Sequence, residues 1–205
     1  MGKEIIEVFK EHDLVLEVND KGIFKHGEPE VIIDFSNREV LKTTIELTDQ
    51  FGAGLVVGTT ALDQSDISDL EKLAEKVPVV QSFNFSIGIN LLRMILKEFS
   101  TLLKGFEGEI IEVHHSAKKD TPSGTALMLK ESTGRDLPIH SVRAGGVPGD
   151  HTLFFANDGE VIEITHRAIS RKVFAIGALT AAQFCADKEK GFYSFEEVIE
   201  WTQRR

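Results

Sequence analysis

The sequence predicts an α/β protein made of two lobes, on three observations. Short apolar strands alternate with amphipathic helices between residues 14 and 83, the pattern of parallel βαβ units. After Phe85 the rhythm changes to one long helix followed by several strand-like runs separated by tight turns. The chain then returns to helix. Its 205 residues allow one large domain or two small ones.

Composition narrows the class. Apolar residues make up 41% and charged residues 27%, enough core formers to exclude a disordered chain. No apolar run approaches the roughly 18–20 residues of a membrane span, and MGKEIIEVFKEHD at the start lacks the apolar region of a secretory signal. Lys+Arg 23 against Asp+Glu 33 gives a net charge of −10, which argues against general nucleic-acid binding. One cysteine, Cys185, permits no internal disulfide and fits a reducing cytoplasm. An anionic ligand therefore needs a local positive site.

The elements follow in order. Residues 2–11 place Ile5, Ile6 and Phe9 at helical spacing. LVLEV (14–18) reads as a strand and Asp20-Lys21-Gly22 as a turn. VIIDF (31–35) is a strand buried on both faces, followed by a helix over 37–51 with Asn37 or Ser36 as cap. LVVG (55–58) is another buried strand, 65–76 a helix with Ser65 as its capping residue, and VPVVQSF (77–83) a fourth strand. The long helix covers 87–104. Strands are expected at 109–115, 139–144, 151–156 and 160–167, the last two joined by the Asn157-Asp158-Gly159 turn, with a helix near 123–133 among them. Helices 173–186 and 194–203 end the chain, the second with a Ser194–Glu197 capping box. The join falls near 84–87 and the return near 170–178, which gives one domain of 1–86 with 178–205 and a second of 87–177.

The richest chemistry lies in 112–126, EVHHSAKKDTPSGTA. TPSGTA reads as a helix entrance with Asp120 or Thr121 as cap and Pro122 in the first turn. Small residues at Ser123, Gly124 and Thr125 let an anion approach the helix amides, and Lys118 or Lys119 adds a full charge. An ordinary capped helix beside a solvated basic loop has the same signature. His114 and His115 are adjacent, so a strand sends them to opposite faces and joint metal ligation is not expected. One of them as a general acid is the better functional reading. His12, His26, His140 and His151 read as structural or surface residues, and His166, Arg167 and Arg171 as surface charge near the return. Gly58-Thr59-Thr60 and Asn84-Phe85-Ser86 each follow a predicted parallel strand, where open α/β sheets bind ligands.

Glu112 to Ala126 resembles the E-x-HH-x-x-K-x-D-x-PSGTA signature of the dihydrodipicolinate reductase (4-hydroxy-tetrahydrodipicolinate reductase) family of lysine and diaminopimelate synthesis. VGTTAL (57–62), NFSIGIN (84–90), RAGGVPGDH (143–151) and ITHRAISRKVFAIGAL (164–179) support the resemblance. It implies a Rossmann-like, doubly wound nucleotide-binding lobe and an α+β substrate lobe with a mixed sheet. It also implies NADH or NADPH as cofactor, a dicarboxylate substrate and a homotetramer assembled through the substrate-lobe sheet. By that pattern His114 donates the proton with Lys118 as partner, and His115, Ser123, Gly124 and Thr125 meet the substrate. Phe35, Ser36, Gly58, Thr59, Thr60, Asn84, Phe85 and Ser86 line the cofactor.

The opening departs from the family. The family begins with a strand and a G-x-x-G-R-M-G turn, of which Met1-Gly2 match only the end. The expectation is a sheet whose central strand is lacking, with strands 14–18 and 55–58 deprived of a shared neighbour, and weak nucleotide binding. A cofactor-free, dicarboxylate-binding regulator is the alternative reading. Asn19 stands where an acidic residue binds the ribose of NAD, and no arginine follows it, so both nucleotides remain open.

Overall fold

The computed structural model describes residues 1–204 and contains two compact units, Met1–Phe85 with the chain from Phe174 onward, and Ser86–Val173. Arg205, the last residue of the first expected domain, lies outside the described residues.

The first unit opens with α1 (Gly2–Val8) and a two-stranded antiparallel hairpin, β1 (Leu16–Asn19) with β2 (Gly22–Lys25). This corrects two expectations. The strand near 14–18 belongs to the hairpin and not to the parallel sheet. The strand at 55–58 lacks no neighbour: β4 (Gly54–Val57) has β3 (Val31–Asp34) on one side and β5 (Pro78–Gln81) on the other, all parallel. Between them α2 (Leu41–Phe51) and α3 (Gln64–Ala74) bury Leu41, Leu70 and Leu73 against Leu55, Val57 and Val79. Asn37 caps the short 3-10 turn before α2. The cap of α3 is Asp63 rather than Ser65, in a reciprocal capping box with Asp66.

The second unit begins at α4 (Ile87–Phe99), which passes into a 3-10 turn over Ser100–Leu103, so the expected helix 87–104 is α-helical only to Phe99. β6 (Glu107–His114), α5 (Gly124–Ser132), β7 (Ile139–Arg143), β8 (Asp150–Ala156) and β9 (Val161–Arg167) follow. They build a mixed sheet of order β7-β6-β8-β9 in which only β6 and β7 run parallel. Asn157 turns β8 into β9 by accepting from the amides of Gly159 and Glu160. The inward stripe of β6 is Gly108, Ile110, Glu112 and His114, and that of β8 is His151, Leu153 and Phe155. Ile110, Leu153 and Phe155 pack with Ile89, Leu92, Leu96 and Leu129 of α4 and α5. The same stripe turns polar at one end, where Glu112, His114 and His151 meet.

The chain returns to the first unit through α6 (Lys172–Asp187), β10 (Gly191–Ser194) and α7 (Phe195–Thr202). Small residues let α6 approach closely: a Cβ on Gly177 would stand 1.8 Å from the carbonyl oxygen of Phe85. β10, which the sequence reading did not anticipate, completes the parallel sheet as β10-β5-β4-β3. Phe192 and Tyr193 favour extended backbone, and pairing with β5 fixes it in the sheet. Ser194 and Glu197 form the expected capping box. Among the described residues no helix is long and apolar enough to cross a membrane.

Candidate active site

Glu112 organises the cluster. It is fully buried, and its carboxylate accepts from Nδ1 of His114, from Nη1 and Nη2 of Arg143 at 2.9 and 2.7 Å, and from the amide of Ser123 at 3.2 Å. Burial alone would raise its pKa, but the hydrogen bonds, led by that of the Arg143 guanidinium, prevail and lower it to about 2. Arg143 also donates to the carbonyl oxygen of Asp120 at 2.7 Å, which ties the loop before α5 to β7.

His114 is buried and held at Nδ1, so its second nitrogen, Nε2, faces Gly149. Burial lowers its pKa below the ordinary histidine value, and Glu112 opposes that shift. The His151 ring stands edge-on to it at 5.1 Å between centroids. His151 is 3% exposed, its Nε2 lies 3.3 Å from Oγ of Ser123, and burial reinforced by the nearby His114 holds its pKa down to about 3. It is thus neutral in the folded protein. The sequence reading left His151 among structural or surface residues; its inward place on β8, directly opposite Glu112 in register, brings it into the cluster. Arg143 enters the sequence reading only within the matching segment RAGGVPGDH. The available signal was the spacing Ile110, Glu112, His114, which puts two polar side chains on the inward stripe of a strand.

The start of α5 differs from expectation. Ser123, not Asp120 or Thr121, is the cap, its hydroxyl accepting from the amide of Ala126 at 3.2 Å, and Pro122 precedes the helix. Extended backbone at Ser123 allows both this bond and its own amide's bond to Glu112. Gly124 is open, with nothing within 4 Å of a Cβ built there, and Thr125 is half-buried. Lys118 pairs with Oδ1 of Asp120 at 2.8 Å while Lys119 is exposed. Burial works against ionisation of Asp120, and the Lys118 ammonium outweighs it, so its pKa is lowered. The amide of Lys118 closes a turn on the carbonyl of His115, whose half-buried side chain follows the end of β6. Ser116 and Ala144 cross-link this loop to the one after β7.

In the first unit the residues expected at the cofactor gather at the C-terminal ends of adjacent strands. Phe35 and Ser36 follow β3, Gly58, Thr59 and Thr60 follow β4, and Asn84 and Phe85 lie beyond β5. Asp34, itself buried, accepts from the Ser36 amide (2.9 Å), the Ser36 hydroxyl (2.5 Å), the Thr44 hydroxyl (2.7 Å) and the Thr59 hydroxyl (2.8 Å). The Phe35 ring covers Gly58, where a Cβ would meet it at 2.4 Å, and packs on Phe85 at 5.1 Å. Exposed Ser36 and Thr60 offer neutral hydroxyls, which suit a ribose or carboxamide better than a charged group. Asn19 is not on this sheet; it ends β1, where its side chain bonds Glu17 and the amide of Lys21. Ser86 belongs to the second unit, caps α4 and lies 3.2 Å from Nε2 of His166.

Comparison with known proteins places a boundary at the same point after Phe85, although the second family model runs on through residues 174–199 of the first unit. The family model described as dihydrodipicolinate reductase, N-terminus, matches residues 1–85, and that described as dihydrodipicolinate reductase, C-terminus, matches residues 88–199. A 4-hydroxy-tetrahydrodipicolinate reductase of Thermosipho africanus is 50% identical over 97% of this chain and 93% of its own. One from Archaeoglobus fulgidus is 35% identical over 97% of this chain and 91% of its own. The dipicolinate-bound dihydrodipicolinate reductase of Paenisporosarcina sp. TG-14 superposes with a TM-score of 0.66 at 25% identity, covering 81% of this chain and 72% of that one. The chain belongs to the dihydrodipicolinate reductase family of NAD(P)H-dependent oxidoreductases.

Proposed function

We propose that this protein reduces dihydrodipicolinate, formed from 4-hydroxy-tetrahydrodipicolinate by loss of the 4-hydroxyl as water, to tetrahydrodipicolinate in lysine (diaminopimelate) biosynthesis. The observation that carries the reading is the Glu112–His114 pair set beside the open start of α5. Bound NADH or NADPH supplies the hydride. The side chains of the second unit do the rest. Nε2 of His114 delivers the proton to the carbon next to the one reduced. His115, Ser123, Gly124 and Thr125 hold a substrate carboxylate through hydroxyls and helix amides, and Lys118 adds charge. Burial keeps His114 neutral when the site is empty; a bound dianion favours its imidazolium form and so prepares the acid only with substrate present.

The hydroxyls and amides at the strand ends of the first unit are read as the nicotinamide-ribose contacts: Phe35, Ser36, Gly58, Thr59, Thr60, Asn84 and Phe85. The cofactor-free alternative is not favoured by the family match. We read the open face of the mixed sheet, where Val142 and Val161 are exposed and Phe154 half-buried, as the surface of a homotetramer. The lone buried Cys185 suits a reducing cytoplasm. Purified protein supplied with freshly generated substrate should oxidise NADH or NADPH. Absence of oxidation with both nucleotides, while pyridine-2,6-dicarboxylate still binds, rejects the enzymatic reading.

A further inference from the structure

Both carboxylate oxygens of Glu112 are in use. Oε2 accepts from Nδ1 of His114 and Nη1 of Arg143, and Oε1 accepts from Nη2 of Arg143 and the amide of Ser123. One buried side chain therefore joins β6, β7 and the first turn of α5. We infer that Glu112 is the positioning residue for proton transfer: it fixes the Nδ1–H tautomer of His114, leaves Nε2 to carry the mobile proton, and locks the ring to the helix start that receives the substrate carboxylate. This inference rests on the reading of His114 as proton donor.

The charges around His114 make the role testable. Glu112 faces it from its own strand, Arg143 from β7, Lys118 from the following loop and His151 from β8. Of these Glu112 alone is an anion and favours the imidazolium, whereas Arg143 and Lys118 disfavour it. Because Glu112 is ionised across the working range, it can only accept, and the neutral ring must donate from Nδ1. A glutamine there would present an amide that accepts or donates, and the tautomer would no longer be specified. Arg143 secures the ionised state at the expense of the His114 cation, so removing the two partners moves the histidine in opposite directions.

The test is nitrogen NMR on the full-length, histidine-labelled protein without substrate, with His114→Gln used for assignment. Neutral His114 should carry its proton on Nδ1; a ring protonated on Nε2 overturns the inference. Glu112→Gln should lower the His114 pKa by about 1 pH unit or more, and Arg143→Gln should raise it. The falling limb of kcat/KM with pH should shift the same way, and kcat of Glu112→Gln at pH 8 should drop by roughly 10²-fold with KM little changed. Unmoved titrations in folded variants, or shifts of one sign, overturn the inference. If Glu112→Gln does not fold, the wild-type tautomer and the Arg143→Gln titration decide. If the titrations behave as stated but His114→Gln turns over normally, the proton-donor reading fails, and the positioning role in proton transfer falls with it.

Discussion

Gly149 faces the free nitrogen of His114: a Cβ at position 149 would stand 3.0 Å from Nε2. The backbone there has φ +155, a conformation that side chains rarely adopt, so glycine is required twice, for backbone freedom and for access to the nitrogen. Gly149→Ala should destabilise the second unit by about 1–3 kcal/mol through strain and crowd the proton-bearing atom. Activity should fall further than the loss of folded protein accounts for. Unfolding curves together with kcat on the folded fraction check this; unchanged kcat would show that Nε2 is not approached from that side.

If His114 is the proton donor, His114→Gln should lower kcat by about 10²–10⁴-fold with nucleotide affinity unaltered, since the nucleotide contacts are assigned to other residues. Steady-state kinetics and calorimetric titration of NADH and NADPH separate the two effects. A parallel loss of nucleotide binding would move His114 out of the chemical step.

Lys118 is held by Asp120 at 2.8 Å and only partly exposed. Lys118→Ala should raise KM, lower turnover and weaken inhibition by pyridine-2,6-dicarboxylate, a planar analogue of the ring. Equal inhibition of wild type and variant would place the carboxylate pocket elsewhere.

His151 links the cluster to acid stability. Its pKa is about 3 in the fold, against an ordinary value of 6.5, so between those limits the unfolded chain binds the proton more readily and stability falls as pH falls. Glu112, lowered from 4.5 to about 2, acts in the same direction over the lower part of that range. Stability should be level above pH 7 and decline below about 6.5, by about 1–2 kcal/mol from His151 by pH 5. Urea unfolding at pH 7.5, 6 and 5 measures the decline, and a folded His151→Gln variant should make it shallower, the remainder coming from His114 and His166, whose pKa values burial also lowers. An equal slope in that variant would assign the effect to other groups.

Asp34 satisfies the buried hydroxyls of Thr44 and Thr59 and braces Ser36. Asp34→Ala strands the Thr59 hydroxyl, at a cost of about 1–3 kcal/mol for a buried group without a partner, leaves that of Thr44 only a long bond to the carbonyl of Val40, and loosens the strand ends beyond β3 and β4. Thermal melting should show a less stable protein, and NADH or NADPH titration a weaker complex. Nucleotide affinity equal to that of wild type would remove these strand ends from the cofactor contacts.

Local information determined much of this protein. LVV of the run LVVG is buried on both faces, so composition alone marks it as a central parallel strand, whereas VIIDF, expected to be equally buried, is the edge strand of the sheet and its apolar residues are only half-buried. Ser194 with Glu197 and Asn157 before Gly159 act within a few residues, and they form as read. The 112–126 segment likewise advertised its histidines, lysines and small residues. What tertiary structure decided was partnership. An extended propensity does not name its neighbour, so β1 folds back on β2, β3 pairs directly with β4, and Gly191–Ser194 becomes a strand only beside β5. The same holds for the buried charge. Glu112 meets Arg143 from 31 residues away and lies opposite His151 because parallel and antiparallel registers converge on one stripe of β6. A carboxylate with no access to water must find its donors across strands, and only the assembled sheet supplies them.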